Sequence, residues 1–194
     1  MAFDLDRFNA AWRRYTEALT KQHPAFMSYF ATGATLAQIA ETERTIGSVL
    51  PPDVRHLLSL HNGAEAQVLP GWELFSTERI VREWRIWEEL RREEFKPDGL
   101  TCDPEGPIHG DEWWRLTWIP ITGDGGGNHL CADMEPAAGG NVGQIITMWH
   151  DDSVRGLIAP SLTEFIEMIA AKVESGAMTW DDEWGGVYEP AGYG

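Results

Sequence analysis

Large apolar residues at Leu5, Phe8, Trp12, Tyr15 and Leu19 recur in alternating steps of three and four, which places one apolar stripe on a helix that Asp4 is positioned to cap. His23-Pro24 and Gly33 interrupt that run, and Thr35-Leu36-Ala37-Gln38 has the chemistry of a capping box opening a second helix. Its stripe is Leu36, Ile39, Glu43, Ile46 and Leu50, with Glu43 as the polar exception. Pro51-Pro52 closes this helix and presets the first turn of a third, in which Val54, Leu57 and Leu58 face inward and Asn62-Gly63 stops the run. Residues 67–75, apolar around Pro70-Gly71, read as strand, turn and strand. Ile80, Val81, Trp84, Trp87 and Leu90 set a helix over 78–95, with Trp84 and Trp87 in the core.

Residues 96–110 hold three prolines and three glycines and predict a projecting loop. Short apolar runs at 116–121, 129–134, 142–149 and 154–158 follow, divided by Gly, Asp, Asn or Pro. Their close spacing predicts antiparallel strands, because parallel pairing needs long crossovers. Ser161-Leu162-Thr163-Glu164 is a second capping-box sequence, and Leu162, Phe165, Ile166, Ile169, Ala170 and Val173 form the inward face of a final helix stopped by Ser175-Gly176. The expected architecture is a single α+β domain, 1–194, with a central antiparallel sheet flanked by N-terminal and C-terminal helices. Within it, 1–34 is a helical extension, 35–174 the core and 175–194 an acidic aromatic tail or short edge element.

Charge changes the picture more than size does. The net charge is −16, and from Leu116 onward only Arg155 and Lys172 stand against twelve carboxylates. Such a chain is unsuited to phosphate backbones or anionic membranes, which need clustered cations, but suited to steering towards a basic protein. The start, MAFDLDRFNAAW, has acids where a signal peptide needs a basic region, and no apolar run approaches 18 residues, so the expected location is the cytoplasm. Two cysteines, Cys102 and Cys131, make neither a disulfide framework nor a multi-cysteine metal site, and a single bridge between them stays open.

Gly123-Asp124-Gly125-Gly126-Gly127-Asn128-His129 invites a phosphate-loop reading, but a strand follows it and no Lys-Ser/Thr pair does, so a glycine turn joining two strands fits better. Asp124 and Asp133, with Asn128 or His129, offer oxygen ligands for a hard cation; capping of turn amides explains the same aspartates. His109-Gly110-Asp111-Glu112 and His150-Asp151-Asp152 set imidazole beside carboxylate, yet no nucleophile accompanies them. The chain therefore reads as a non-enzyme without metal or cofactor. The candidate partner contacts are Asp111, Glu112, Trp113, Trp114, Asp151, Asp152, Trp180, Asp181, Asp182, Glu183 and Trp184, where aromatic anchors alternate with acids.

Taken in order, Pro51-Pro52-Asp53, Leu57-Leu58, Asn62-Gly63, Trp118-Ile119-Pro120-Ile121, Asp124-Gly125-Gly126-Gly127, Asp133, Gly143-Gln144-Ile145 and Ser161 to Phe165 resemble the SUKH superfamily, named partly for a yeast cell-wall-assembly regulator, from about Leu36 to about Ala171. The resemblance implies a central antiparallel sheet with flanking helices, and structural roles for Pro51, Asn62, Gly63, Pro120, Asp124, Gly125, Gly126, Gly127, Asp133 and Phe165. It implies protein binding: bacterial members resemble immunity proteins that neutralise polymorphic toxins, often nucleases, and eukaryotic members resemble regulatory interaction proteins. The first expectation is accordingly an immunity protein masking a basic toxin domain, with a regulatory scaffold as the alternative and a metal-dependent enzyme after it. The helix before Thr35, the loop 96–110 and the tryptophan-rich tail depart from the superfamily pattern.

Overall fold

The computed structural model describes residues 3–189. Helix α1 (Leu5–Gln22) is capped by Asp4, whose carboxylate accepts from the Arg7 amide at 3.0 Å, and buries Phe8, Trp12, Tyr15 and Leu19. A 3-10 turn (Phe26–Tyr29) leads to α2 (Leu36–Ile46) and α3 (Pro52–Leu60). The Thr35/Gln38 capping box is complete, with Gly47 in the left-handed region at φ 69° ending α2. Leu36, assigned to the inward stripe, is instead 79% exposed, because a first-turn side chain leans back over the helix start, where nothing covers it. Glu43 interrupts the stripe usefully: its carboxylate accepts from the Leu50 amide at 2.9 Å and pairs with Arg55.

The expected strand pair at 67–75 contracts to a Leu69–Trp72 bridge and β1 (Glu73–Leu74). Helix α4 (Thr77–Leu90) follows and runs into a π-helical turn (Arg91–Phe95). The loop at 96–110 does not simply project. It forms β2 (Asp103–Glu105), flanked by buried Cys102 and Ile108. Then come β3 (Trp118–Pro120), β4 (Thr122–Gly123), β5 (His129–Asp133), β6 (Gln144–Met148), β7 (Val154–Ala159), α5 (Leu162–Glu174), β8 (Thr179–Asp181) and β9 (Gly186–Tyr188).

The main sheet has the order β2-β7-β6-β5-β3, antiparallel except for the parallel edge pair β2–β7. Pro104 sits in β2, where an edge tolerates a residue that cannot donate to the ladder. The larger core lies between α1, α3, α5 and the sheet, and includes Phe8, Leu57, Ile119, Leu130, Ile145 and Ile166. A smaller core on Trp87, Trp114, Trp118, Cys131 and Met148 lies under α4. Cys102 and Cys131 are free thiols in that second core, and burial pushes both thiols up from their ordinary pKa.

Three motif positions act as fasteners. Asp53 is 5% exposed, and its carboxylate accepts from its own helix at Val54 N (3.0 Å) and from the start of α5 at Thr163 N (3.0 Å) and Thr163 Oγ1 (3.1 Å). Asn62 accepts from the Thr77 amide at 2.8 Å, tying the exit of α3 to the start of α4. Gly63, at φ 97°, approaches Ser76 so closely that a Cβ would meet its amide nitrogen at 2.9 Å. Ser161 caps α5, and its hydroxyl also donates to the Glu164 carboxylate.

Candidate partner-binding surface

The glycine segment is a turn between β4 and β5, with Gly125 at φ 85° and Gly127 at φ 99°. Asp124 accepts from Gly126 N (2.7 Å), Asn128 N (3.1 Å) and Asn128 Nδ2 (2.7 Å). Partial burial pushes this carboxyl upward, but the hydrogen bonds from Asn128 and Gly126 outweigh that and hold it below the usual carboxylate range. Asn128 in turn accepts from the His150 amide at 2.9 Å, locking the glycine turn to the β6–β7 turn.

The oxygen ligands considered for a cation do not converge. Asp133 closes the far end of β5, fully buried, where its carboxylate accepts from Gln144 Nε2 and Glu135 N, and burial raises its pKa. His129 is buried with Nδ1 2.8 Å from the Thr122 carbonyl, and burial lowers its pKa. Among the described residues no group of three or more His, Cys, Asp or Glu side chains is arranged to hold a metal ion, and no helix is long and apolar enough to cross a membrane.

The eleven partner candidates separate into surface and core. Trp114 has no surface to offer: it is fully buried, stacked on Trp87 at 5.5 Å and edge-on to Trp118 at 6.0 Å. Trp113 is half-buried, with the Arg155 guanidinium 5.0 Å over its ring. Glu112 is gripped by Arg91 through both oxygens, which holds its pKa low, and Asp111 is exposed and paired with Arg115 at 2.6 Å. Asp151 and Asp152 are exposed in the β6–β7 turn, where Asp152 accepts from the Val154 amide at 2.8 Å.

The tail packs as a hairpin, β8–β9, with Val187 fully buried; residues 190–194 lie outside the described residues. Trp180 stacks on His23 at 4.5 Å and on Tyr29 at 5.1 Å, which fixes the hairpin to the end of α1. Trp184 is 60% exposed at the tip, beside Asp182 and Glu183, while Asp181 accepts from the Glu183 and Trp184 amides and shapes the turn.

A chain of contacts joins the hairpin to the β6–β7 turn. The Gly71 amide donates to Val187, Trp72 lies 5.9 Å from Trp149, and Trp149 precedes His150-Asp151-Asp152. Both tryptophans are half-buried. The 67–72 segment, which carried no functional signal in the sequence, is thus what unites the two acidic groups.

Arg155 sharpens the charge argument. Its side chain is fully buried, donates to the carbonyls of Asp152, Val154 and Trp113, and has its pKa lowered by burial. Lys172 is bridged to Glu189. Of the two cations after Leu116, one is thus core and the other is paired, and because Asp133 is buried as well, the acidic excess of this half stays on its surface.

A cleft of about 440 Å³ opens where α1, α3 and α5 begin, lined by Pro51, Pro52, Asp53, Gly143 and Ser161 among others. Its carboxylates are already engaged: Asp4 with the α1 start, Asp53 with α3 and α5, and Glu164 with Ser161 and Arg7.

The model of the SMI1 / KNR4 family (SUKH-1) matches residues 33–168. The glucan synthesis regulatory protein of Neurospora crassa is 24% identical over 90% of this chain and 40% of its own length. The cell wall biosynthesis/cell cycle regulator smi1 of Schizosaccharomyces pombe is 24% identical over 89% and 37%. The cell wall assembly regulator SMI1 of Saccharomyces cerevisiae is 22% identical over 86% and 40%. The chain thus spans well under half the length of these relatives. Helix α1 precedes the segment that the family model matches.

Proposed function

Because the chain belongs to the SMI1/KNR4 family (SUKH-1), we propose that it is a regulatory protein-binding module rather than an enzyme, and that it works through the acidic strip running from the β8–β9 hairpin to the β6–β7 turn. The observation that carries the reading is the exposed Trp184 directly after Asp181, Asp182 and Glu183 on a hairpin whose base is fixed by Trp180 and Val187. A pre-ordered anchor loses little entropy on binding, and the acids around it set the sign of the partner. The partner is accordingly a basic protein surface with a pocket for an indole ring.

Relatives named as regulators of glucan synthesis and of cell-wall biosynthesis or assembly favour the scaffold alternative over the toxin-immunity expectation. Immunity retains the acidity as support, which any basic partner explains equally well.

A photo-crosslinking residue placed at Trp184 in cells tests the proposal. The expected result is covalent capture of more than one basic protein, abolished by Asp182→Lys with Glu183→Lys. A single stoichiometric toxin domain would favour immunity instead, and capture that the two lysines leave intact would remove the strip from the interface.

A further inference from the structure

The acidic strip has a histidine at each end, and each imidazole is set against one of its acids. At the hairpin end, His23 Nδ1 lies 3.2 Å from Asp182 Oδ1, and the same oxygen accepts from Trp180 Nε1 at 2.8 Å. The Asp182 side chain is 84% exposed, yet that indole bond keeps it beside the ring. At the far end, His150 Nδ1 lies 3.0 Å from Asn128 Oδ1 and 3.6 Å from Asp151 Oδ1. Asn128 is itself fixed, donating to Asp124 Oδ2 at 2.7 Å.

Both rings can take a proton without repacking. Carboxylate and amide oxygens only accept, so each neutral ring carries its proton on Nδ1 and its lone pair on Nε2. At His23 that lone pair meets the Tyr29 hydroxyl at 3.2 Å, which donates to the neutral ring and rotates to accept from the charged one. Trp180 and Tyr29 stack on the ring at 4.5 and 5.7 Å, and aromatic faces suit a cation. The His150 side chain is 44% exposed, within reach of water. Among the described residues, the groups facing His23 are Asp182 from the hairpin and the Tyr29 phenol from the 3-10 turn, with Lys21 the one charged residue in the last turn of α1. Those around His150 are Asp151 and Asp152 on its own turn and, behind Asn128, Asp124.

On the reading of the strip as the surface that meets a basic partner, we propose that His23 and His150 make that surface pH-sensitive, so that the partner is held near neutral pH and released as the pH falls. Imidazole changes charge between about pH 5 and 8, a range in which carboxylates stay largely ionised. Two protons therefore offset two of the strip's five acids, Asp151, Asp152, Asp181, Asp182 and Glu183. A protonated His23 occupies the oxygen that a partner's lysine or arginine would seek. Exposed pairs are individually weak, so each histidine changes affinity by about threefold and the two together by about tenfold. The coupling is reciprocal: a bound cation makes each proton harder to add.

The test uses the full chain and dodecalysine as the basic probe, at pH 7.5 and 5.8 and constant ionic strength. Affinity is read by NMR from the Trp184 indole N–H resonance, assigned with Trp184→Phe. The expected affinity is about tenfold weaker at the lower pH in the wild type, about threefold weaker in His23→Gln or His150→Gln, and nearly constant in the double variant. Because His23→Gln also removes a stacked ring, a second measurement is made on the wild type, where saturating dodecalysine is expected to shift the titration of the His23 and His150 ring signals to lower pH. Equal affinity at the two pH values, a pH dependence that survives in the double variant, or ring titrations indifferent to dodecalysine would overturn the proposal. Asp182→Lys with Glu183→Lys tells the two failures apart. If it leaves affinity at pH 7.5 unchanged, the strip fails and this proposal with it; if it weakens affinity while the wild type shows no pH dependence, the strip stands and the role of the histidines fails alone.

Discussion

Replacing Asp53 by alanine removes one carboxylate from the starts of two helices at once. Asp53 is 5% exposed and accepts from Val54 N, Thr163 N and Thr163 Oγ1, all at 3.0–3.1 Å. Loss of a cap costs about 1 kcal/mol, and each buried donor left without an acceptor costs about 1–3 kcal/mol. Because Thr163 Oγ1 is able to rotate towards another acceptor, the expected total is about 3 kcal/mol, a large fraction of the stability of a domain this size. Asp53→Asn keeps one acceptor oxygen and loses the charge at the two helix starts, for about 1–2 kcal/mol. Urea unfolding followed by circular dichroism reads both values, with the slope against denaturant unchanged. If Asp53→Ala costs under about 0.5 kcal/mol, or if alanine and asparagine cost the same, Asp53 does not fasten α3 to α5 and the account of the Pro51-Pro52-Asp53 motif is wrong.

Arg155→Met leaves three backbone carbonyls without their donor and is expected to cost about 2–4 kcal/mol by the same unfolding assay; a neutral result would show that those carbonyls find other partners. His129 has a pKa lowered by burial, so the unfolded chain binds more protons than the folded one below about pH 6.5, and stability falls as the pH drops through that window. His129→Gln flattens that part of the pH profile, as read by denaturant midpoints from pH 7 downward. Asp124, held low by its turn amides, contributes stability that is present above about pH 4 and is lost as the pH falls through its lowered value; Asp124→Asn removes the dependence. Trp180→Ala releases the hairpin from His23 and Tyr29 and raises amide exchange across residues 179–188.

Much of this was legible because large apolar side chains recur at helical spacing. Phe8, Trp12, Tyr15 and Leu19 fall where the stripe puts them, and Trp87 belongs to the core as its position on α4 suggests. Leu36 misleads because position in a stripe says nothing about whether the first turn has a neighbour to cover. Strand β2 was hidden: Asp103-Pro104-Glu105 has no apolar alternation, and its parallel pairing with β7 places it on a sheet edge where none is needed. Arg155 enters the sequence reading only as a charge to be counted, because charge alone does not reveal that Trp113, Trp118 and three carbonyls surround it. For the partner candidates, composition marked Asp111–Trp114 and Trp180–Trp184 as similar clusters. Only packing separates buried Trp114 and stacked Trp180 from exposed Trp184. Nothing in the sequence joined the hairpin to the β6–β7 turn, since the link is a contact between Trp72 and Trp149.

The central claim is that an acidic aromatic strip binds basic regulatory partners. Its most direct test is the affinity of a partner captured at Trp184, measured with purified proteins at low and high salt, for the wild type and for Asp182→Lys with Glu183→Lys. Complementary charge predicts an affinity that falls about tenfold or more with added salt, and a variant that binds weakly at low salt and loses most of that salt dependence. An affinity indifferent both to salt and to the two lysines would contradict the account.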